Sequence, residues 1–238
     1  MSRIGILGGM GPSATVDFMD KLVQLTPATR DQDHLPVIVA SLPHVPDRSS
    51  AILGTGADPL PALLANVDLL NHIGVGVVAI PCNSSHHWYP QIAERSRAPV
   101  IHIAQCCVAA VAATPRARVA VLATRGALAS GFYQSALRER GIAFFVPDST
   151  TGQHDVDACI RAVKAGDVPA GTAALDRALA AIAAAGATAV IMGCTEIPIA
   201  ARAAAPTPLT LVDSSLELAR ATVAFALDKG WNRPAWVS

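Results

Sequence analysis

Charge of either sign is sparse. Lys and Arg together number 18, Asp and Glu also 18, and charged residues fill only 15% of the 238 positions. The net charge is zero, whereas a nucleic-acid or anionic-membrane binder carries a basic excess. Aromatic residues are scarce too, at 4%, so extended stacking platforms for bases or sugars are excluded. Only three lysines occur: Lys21, Lys164 and Lys229. The cysteines (Cys82, Cys106, Cys107, Cys159 and Cys194) are odd in number and form no CxxC pair. That argues against a disulfide framework and a zinc ribbon. The histidines show no metal-ligand spacing, so no metal site is expected.

A long hydrophobic run is also lacking. The longest stretch free of both charged residues and histidine, residues 178–195, is rich in alanine and is interrupted by Gly186-Ala187-Thr188. It reads as a helix followed by a strand rather than a bilayer span. The first residues show no signal-peptide layout. What is present is apolar: 52% hydrophobic residues and a mean hydropathy of +0.41. That excludes a disordered chain and predicts a soluble, cytoplasmic protein with a sizeable core.

Short continuously apolar runs at 4–7, 37–41, 77–80, 100–103, 119–122, 189–192 and 209–212 read as strands. Longer Ala- and Leu-rich stretches at 13–25, 60–73, 105–113, 130–140, 155–165, 171–185 and 215–227 read as helices. This alternation predicts an α/β fold with parallel strands covered on both faces. The chain also repeats itself. Arg3 to Gly11 aligns with Arg118 to Gly126 at an offset of 115, and Gly74 to Cys82 with Gly186 to Cys194 at 112. Pro99 to Ile103 aligns with Pro208 to Val212 at 109. Two similar parallel-sheet lobes related by a pseudo-two-fold axis follow, with the site in the cleft between them. Residues 1–104 plus 211–238 are assigned to the first lobe and 105–210 to the second.

Both halves end a strand in a cysteine. Cys82 is followed by Asn83, Ser84 and Ser85, good N-cap residues, and a thiol at a helix N-terminus has its pKa lowered. Cys194 is followed by Thr195 and Glu196. Glu196 could hydrogen-bond the thiol or simply cap the next helix. Two thiols on opposite walls suit two-base chemistry, in which one removes a proton from a carbon and the other donates to the opposite face. Arg48 is a plausible bidentate carboxylate clamp, or a surface arginine. Lys164 has no assignment from its surroundings alone. His86 and His87 read as packing or supporting residues. Cys106, Cys107 and Cys159, in apolar helical contexts, read as buried inert thiols. Gly9-Met10-Gly11-Pro12-Ser13-Ala14 fits a dinucleotide-binding glycine pattern only weakly.

The segments Gly5-Ile6-Leu7-Gly8-Gly9-Met10-Gly11-Pro12, Pro46-Asp47-Arg48-Ser49, Pro81-Cys82-Asn83, Leu122-Ala123-Thr124, Lys164-Ala165-Gly166 and Gly193-Cys194-Thr195-Glu196 are together specific. They resemble the aspartate/glutamate racemase superfamily, and most closely its aspartate racemase branch. The resemblance implies a cofactor-independent racemase with Cys82 and Cys194 as the catalytic bases. It implies that Asn83, Ser84 and Thr195 hold the substrate α-carboxylate, with backbone amides, and that Arg48 and Lys164 recognise a distal carboxylate. Met10 and Thr124 would line the cleft, and a homodimer acting on a small amino acid is expected. The chain departs from the family pattern at Ser84-Ser85, where Thr-Ala is usual, at His87, an aromatic position, and after Gly126. Alternatives at this stage are an arylmalonate decarboxylase or hydantoin-racemase-like activity, a nicotinamide-dependent oxidoreductase, and a non-catalytic amino-acid-binding protein. Of these, the decarboxylase and the binding protein leave the second cysteine without a role.

Overall fold

A computed structural model describes residues 2–112, 118–148 and 152–233. The strands it shows are β1 (Ile4–Gly8), β2 (Val37–Ser41), β3 (Val77–Ala79), β4 (Arg118–Leu122), β5 (Ala143–Phe145), β6 (Ala189–Met192) and β7 (Thr210–Asp213). The helices are α1 (Pro12–Leu25), α2 (Arg48–Ile52), α3 (Leu60–Ile73), α4 (Tyr89–Arg95), α5 (Ile103–Ala112) and α6 (Arg125–Ser130). They continue as α7 (Phe132–Glu139), α8 (Gln153–Lys164), α9 (Val168–Ala184), α10 (Ile197–Ala201) and α11 (Ser214–Asp228).

Two parallel sheets result, in the orders β2-β1-β3 and β5-β4-β6-β7. Val100 adds a single bridge to Val78 at the far side of β3, so it occupies the place that β7 takes beside β6. The two halves therefore share one strand order, as the internal repeat predicts.

The strands are apolar on both sides because helices cover both faces. On the second sheet the period-2 alternation is clear. Val119, Val121, Ala189 and Ile191 pack on Cys107 and Val108 of α5 and on Tyr133 and Leu137 of α7. Ala120, Leu122, Val190 and Met192 face α8 and α9. On the first sheet Ile4, Ile6, Val77 and Ala79 meet α1 and α11, while Leu7 and Val78 meet α3 and α4.

The expected division of the chain at residue 211 falls inside β7. That strand pairs with β6 in the second sheet, and only α11 returns to pack on α1 and β3. The strand expected at 100–103 shrinks to the Val100 bridge, because α5 already begins at Ile103. The helix expected at 130–140 is α7, which Gly131 separates from α6. Four short helices (α2, α4, α6 and α10) and the edge strand β5 go beyond the sequence expectation. No helix among the described residues is long and apolar enough to cross a membrane.

Candidate active site

Every residue that the sequence reading placed in the cleft lines one narrow pocket. Met10 comes from the glycine turn after β1, Arg48 from the start of α2, and Cys82, Asn83 and Ser84 from the loop after β3. Thr124 follows β4, Lys164 ends α8, and Cys194 and Thr195 follow β6. The pocket thus lies beyond the carboxyl ends of strands from both sheets, where open α/β sheets bind ligands. Asp47, Ser49 and Glu196 line it as well. A larger apolar cavity beside Met19, Leu22 and Leu35 shares no residue with it and carries none of these groups.

The two cysteines are buried, Cys82 at 5% exposure and Cys194 at 6%. Neither is in a disulfide. The expectation that Asn83, Ser84 and Ser85 cap a helix at Cys82 is not met. A 3-10 turn, Ser84–Trp88, comes first, and Asn83 makes no side-chain cap bond. These side chains are used to hold the site instead. Asn83 accepts from the Tyr133 hydroxyl at 2.5 Å and donates to Ser214 at 3.0 Å, and Ser214 in turn donates to the Met192 carbonyl at 2.7 Å. One buried chain of bonds therefore ties the Cys82 loop to the strand that carries Cys194. Ser84 and Thr124 share a hydroxyl bond at 3.1 Å across the cleft. The Ser85 hydroxyl meets the Met10 sulfur at 3.4 Å. Tyr133 and Ser214 gave no sequence signal, being an ordinary core aromatic and a helix-start serine.

Cys194 has an acid as its neighbour. Its thiol donates to Glu196 Oε2 at 2.9 Å, and Glu196 makes no side-chain cap bond to α10. Of the two roles open to Glu196 in the sequence, the structure shows the thiol contact. Burial, and then the Glu196 charge, raise the Cys194 pKa well above the ordinary thiol value, against the pull of Lys164. Cys194 therefore rests as a protonated thiol at neutral pH.

The cations sit opposite. Lys164 is solvent-exposed over much of its length, and desolvation of its ammonium works against its charge. Cys194, Glu196, Cys82 and Asp47 outweigh that and hold its pKa above the ordinary lysine value. Arg48 donates Nη1 to the Val45 and Pro46 carbonyls, both at 3.1 Å, and its buried Nε has no partner. An orphaned buried guanidinium N–H costs free energy until an acceptor arrives. Asp47 caps α2 by accepting from the Ser50 N–H at 2.8 Å. Although burial opposes it, this bond and the Lys164 and Arg48 charges lower the Asp47 pKa.

Two glycines set the spacing. Gly9, at φ +87°, lets the turn lie on Leu42, whose backbone N would sit 2.4 Å from a Cβ. Gly126 donates its N–H to Ser49 Oγ at 3.0 Å, and a Cβ there would meet the Ser49 Cα at 2.6 Å. The glycine turn closes on its own helix, since the Gly9 N–H donates to Thr15 Oγ1 at 2.8 Å. Away from the pocket, Cys107 and Cys159 are buried and Cys106 is partly so. Burial pushes Cys106 and Cys159 up to about 11, in keeping with inert packing thiols. No group of metal-ligating side chains occurs among the described residues.

Comparison with known proteins agrees with this geometry. Over 226 residues the chain is 29% identical to the broad specificity amino-acid racemase RacX of Bacillus subtilis, covering 92% of this chain and 96% of that one. The aspartate racemase of Picrophilus torridus superposes with a TM-score of 0.84 at 27% identity, over 95% of this chain and 94% of that one. The glutamate racemase of Francisella tularensis, solved with D-glutamate, shares the fold at a TM-score of 0.73 and 17% identity, over 98% of this chain and 84% of that one. The Asp/Glu/Hydantoin racemase family model matches residues 7–222. By that match across most of its length, the chain belongs to the Asp/Glu/Hydantoin racemase family and is an amino-acid racemase.

Proposed function

We propose that this chain racemises aspartate without a cofactor, by two-base proton transfer at Cα between Cys82 and Cys194. The observation that carries the reading is the pocket itself, where two buried, repeat-related thiols meet two cations, Arg48 and Lys164. A carbon acid held between the thiols loses its proton to one and gains one from the other, which inverts the centre. Arg48 and Lys164 supply positive charge for the side-chain carboxylate. The Ser84 and Thr195 hydroxyls, with the backbone N–H groups of the Asn83 and Thr195 loops, suit the α-carboxylate, where negative charge builds as the proton leaves. The Asn83 side chain is already bonded to Tyr133 and Ser214, so its part in this reading is to fix the loop.

In heavy water the product enantiomer should carry deuterium at Cα, and Cys82→Ala and Cys194→Ala should each lower interconversion by at least about 10³-fold. Full racemisation by either variant would end the two-thiol reading.

A second reading, a broader range of amino acids, is favoured by one observation. Asp47 and Glu196 line the same pocket and balance Arg48 and Lys164, so the site is not strongly cationic. Chiral chromatography of a panel of amino acids, with aspartate and glutamate first, separates the two readings. Turnover of uncharged amino acids without aspartate would overturn the role given to Arg48 and Lys164.

A further inference from the structure

Racemisation by two bases leaves the enzyme changed. When the Cys82 thiolate takes the Cα proton and the Cys194 thiol gives up its own, the product departs with Cys82 protonated and Cys194 as thiolate. Before the same enantiomer can react again, Cys194 must regain a proton and Cys82 must lose one. Both sulfurs are nearly sealed from solvent, so a route for that proton has to be built into the protein.

Glu196 has the geometry of such a route. Its Oε2 accepts from the Cys194 thiol at 2.9 Å and faces the Thr195 hydroxyl at 3.5 Å. Its Oε1 points the other way, toward the glycine turn, where a Cβ on Gly11 would lie 3.8 Å from it. Glu196 lines the inner pocket and also a second, outer cavity of about 260 Å³ bounded by Gly9, Gly11, Pro12 and Ser13. The groups around it are Lys164 and Cys159 from α8, Arg48 and Asp47 at the start of α2, and Cys194 in its own loop. Among the described residues, no side chain hydrogen-bonds the Cys82 sulfur, since His86 bonds that residue at its carbonyl, and no other acid hydrogen-bonds the Cys194 sulfur.

We propose that Glu196 is the proton relay of Cys194, exchanging a proton with the thiol through Oε2 in the inner pocket and with solvent through Oε1 in the outer cavity. After turnover in the direction above, the Glu196 carboxylate takes a proton from water in the outer cavity and passes it to the Cys194 thiolate, which returns Glu196 to a carboxylate. Cys82 loses its proton to solvent through the cleft as the product leaves, and that proton offsets the one drawn from the outer cavity. In the opposite direction the same steps run backwards, and no redox partner is needed. Glu196 is thus a positioning residue that acts through Cys194 rather than on the substrate. The inference rests on the two-thiol reading.

The test is the kinetics of Glu196→Gln, which keeps the volume and removes the carboxylate that takes up and releases a proton. It uses the amino acid of the panel that the wild-type chain racemises fastest, with aspartate expected. Because kcat/KM ends at product release and kcat includes the reset, a slowed relay lowers kcat about tenfold or more and leaves kcat/KM within about threefold. Glu196→Asp, which retains the carboxyl, should recover part of the lost kcat. An unchanged kcat, or kcat and kcat/KM falling together, would overturn the relay. The same runs in heavy water record Cα deuterium with the wild type. Its absence, or a wild type that racemises nothing in the panel, sinks the two-thiol reading and the relay with it. Its presence with no split between kcat and kcat/KM sinks the relay alone.

Discussion

His86 stands four residues after Cys82 and accepts the Ile103 N–H on Nε2 at 3.2 Å, so its own proton is on Nδ1, bonded to the Cys82 carbonyl at 3.0 Å. The ring is 2% exposed, and burial, followed by the nearby His102, lowers its pKa to about 3. It is neutral at every working pH and supports the Cys82 backbone, as a packing histidine should. The sign of its contribution to stability follows. The folded pKa lies below the unfolded value, so the contribution is complete above about pH 6.5 and is lost as the pH falls below it. Each pH unit below that point removes about 1.4 kcal/mol, or about 3 kcal/mol by pH 4.5. Urea unfolding at pH 7 and pH 4.5 checks this against His86→Gln, which should be less stable at pH 7 but lose less on acidification. Equal losses in the two proteins would show that His86 does not titrate in this way. At this scale the sequence was legible wherever a motif carried the chemistry, since the cysteines, Arg48, Lys164 and Thr124 all reach the pocket. It was not legible for Asn83, whose amide binds Tyr133 and Ser214, because nothing local encodes partners 50 and 131 residues away.

Helix α2 has only five residues and no amphipathic period, so 48–52 reads as loop, yet it carries Arg48. It is held against α6 through Gly126, which accepts the close approach of Ser49. Gly126→Ala should therefore push the two helices apart at a cost of about 1–3 kcal/mol and raise KM for the substrate, because Arg48 moves with α2. A thermal melt reads the first effect and steady-state kinetics the second. A destabilised variant with unchanged KM would mean that Arg48 does not depend on this contact. The elements that the sequence obscured fail for related reasons. β5 is a three-residue edge strand with an exposed first residue, too short for a pattern. The run at 100–103 has strand-like residues, but Ile103 is drawn into α5 against the α1–α11 side of the first sheet. Long helices such as α3 and α9 were clear, because their turns repeat enough apolar contacts to show the period.

Across the whole molecule, the repeat at offsets of 115, 112 and 109 becomes structure. β1 and β4 are the equivalent first strands, β3 and β6 carry the cysteines, and Val100 and β7 stand in the same place. What the repeat leaves open is how the two halves are fastened, because the fastening residues are not themselves repeated. Lys21 of α1 makes ion pairs with Asp17 at 2.7 Å on its own helix and with Asp213 at 2.6 Å at the end of β7. Asp17 also pairs with Arg202 at the end of α10 and accepts from Ser215 of α11 at 3.4 Å. The other oxygen of Asp213 caps α11 through the Ser215 and Leu216 N–H groups. One buried lysine thus joins the helix after the glycine turn to the second sheet, and Arg202 adds the segment that follows Cys194. Removing one partner of such a buried cluster strands the others. Lys21→Met should cost about 3–5 kcal/mol, most of it from leaving Asp213 without its countercharge. The loss should vary little with salt, because the pair is shielded from solvent. If the unpaired charge is the cause, Lys21→Met combined with Asp213→Asn should be more stable than Lys21→Met alone, even though the Asp213 change on its own destabilises. Melting curves of the three variants decide this. Strictly additive losses would mean that Lys21 contributes packing rather than charge to the joint between the two halves.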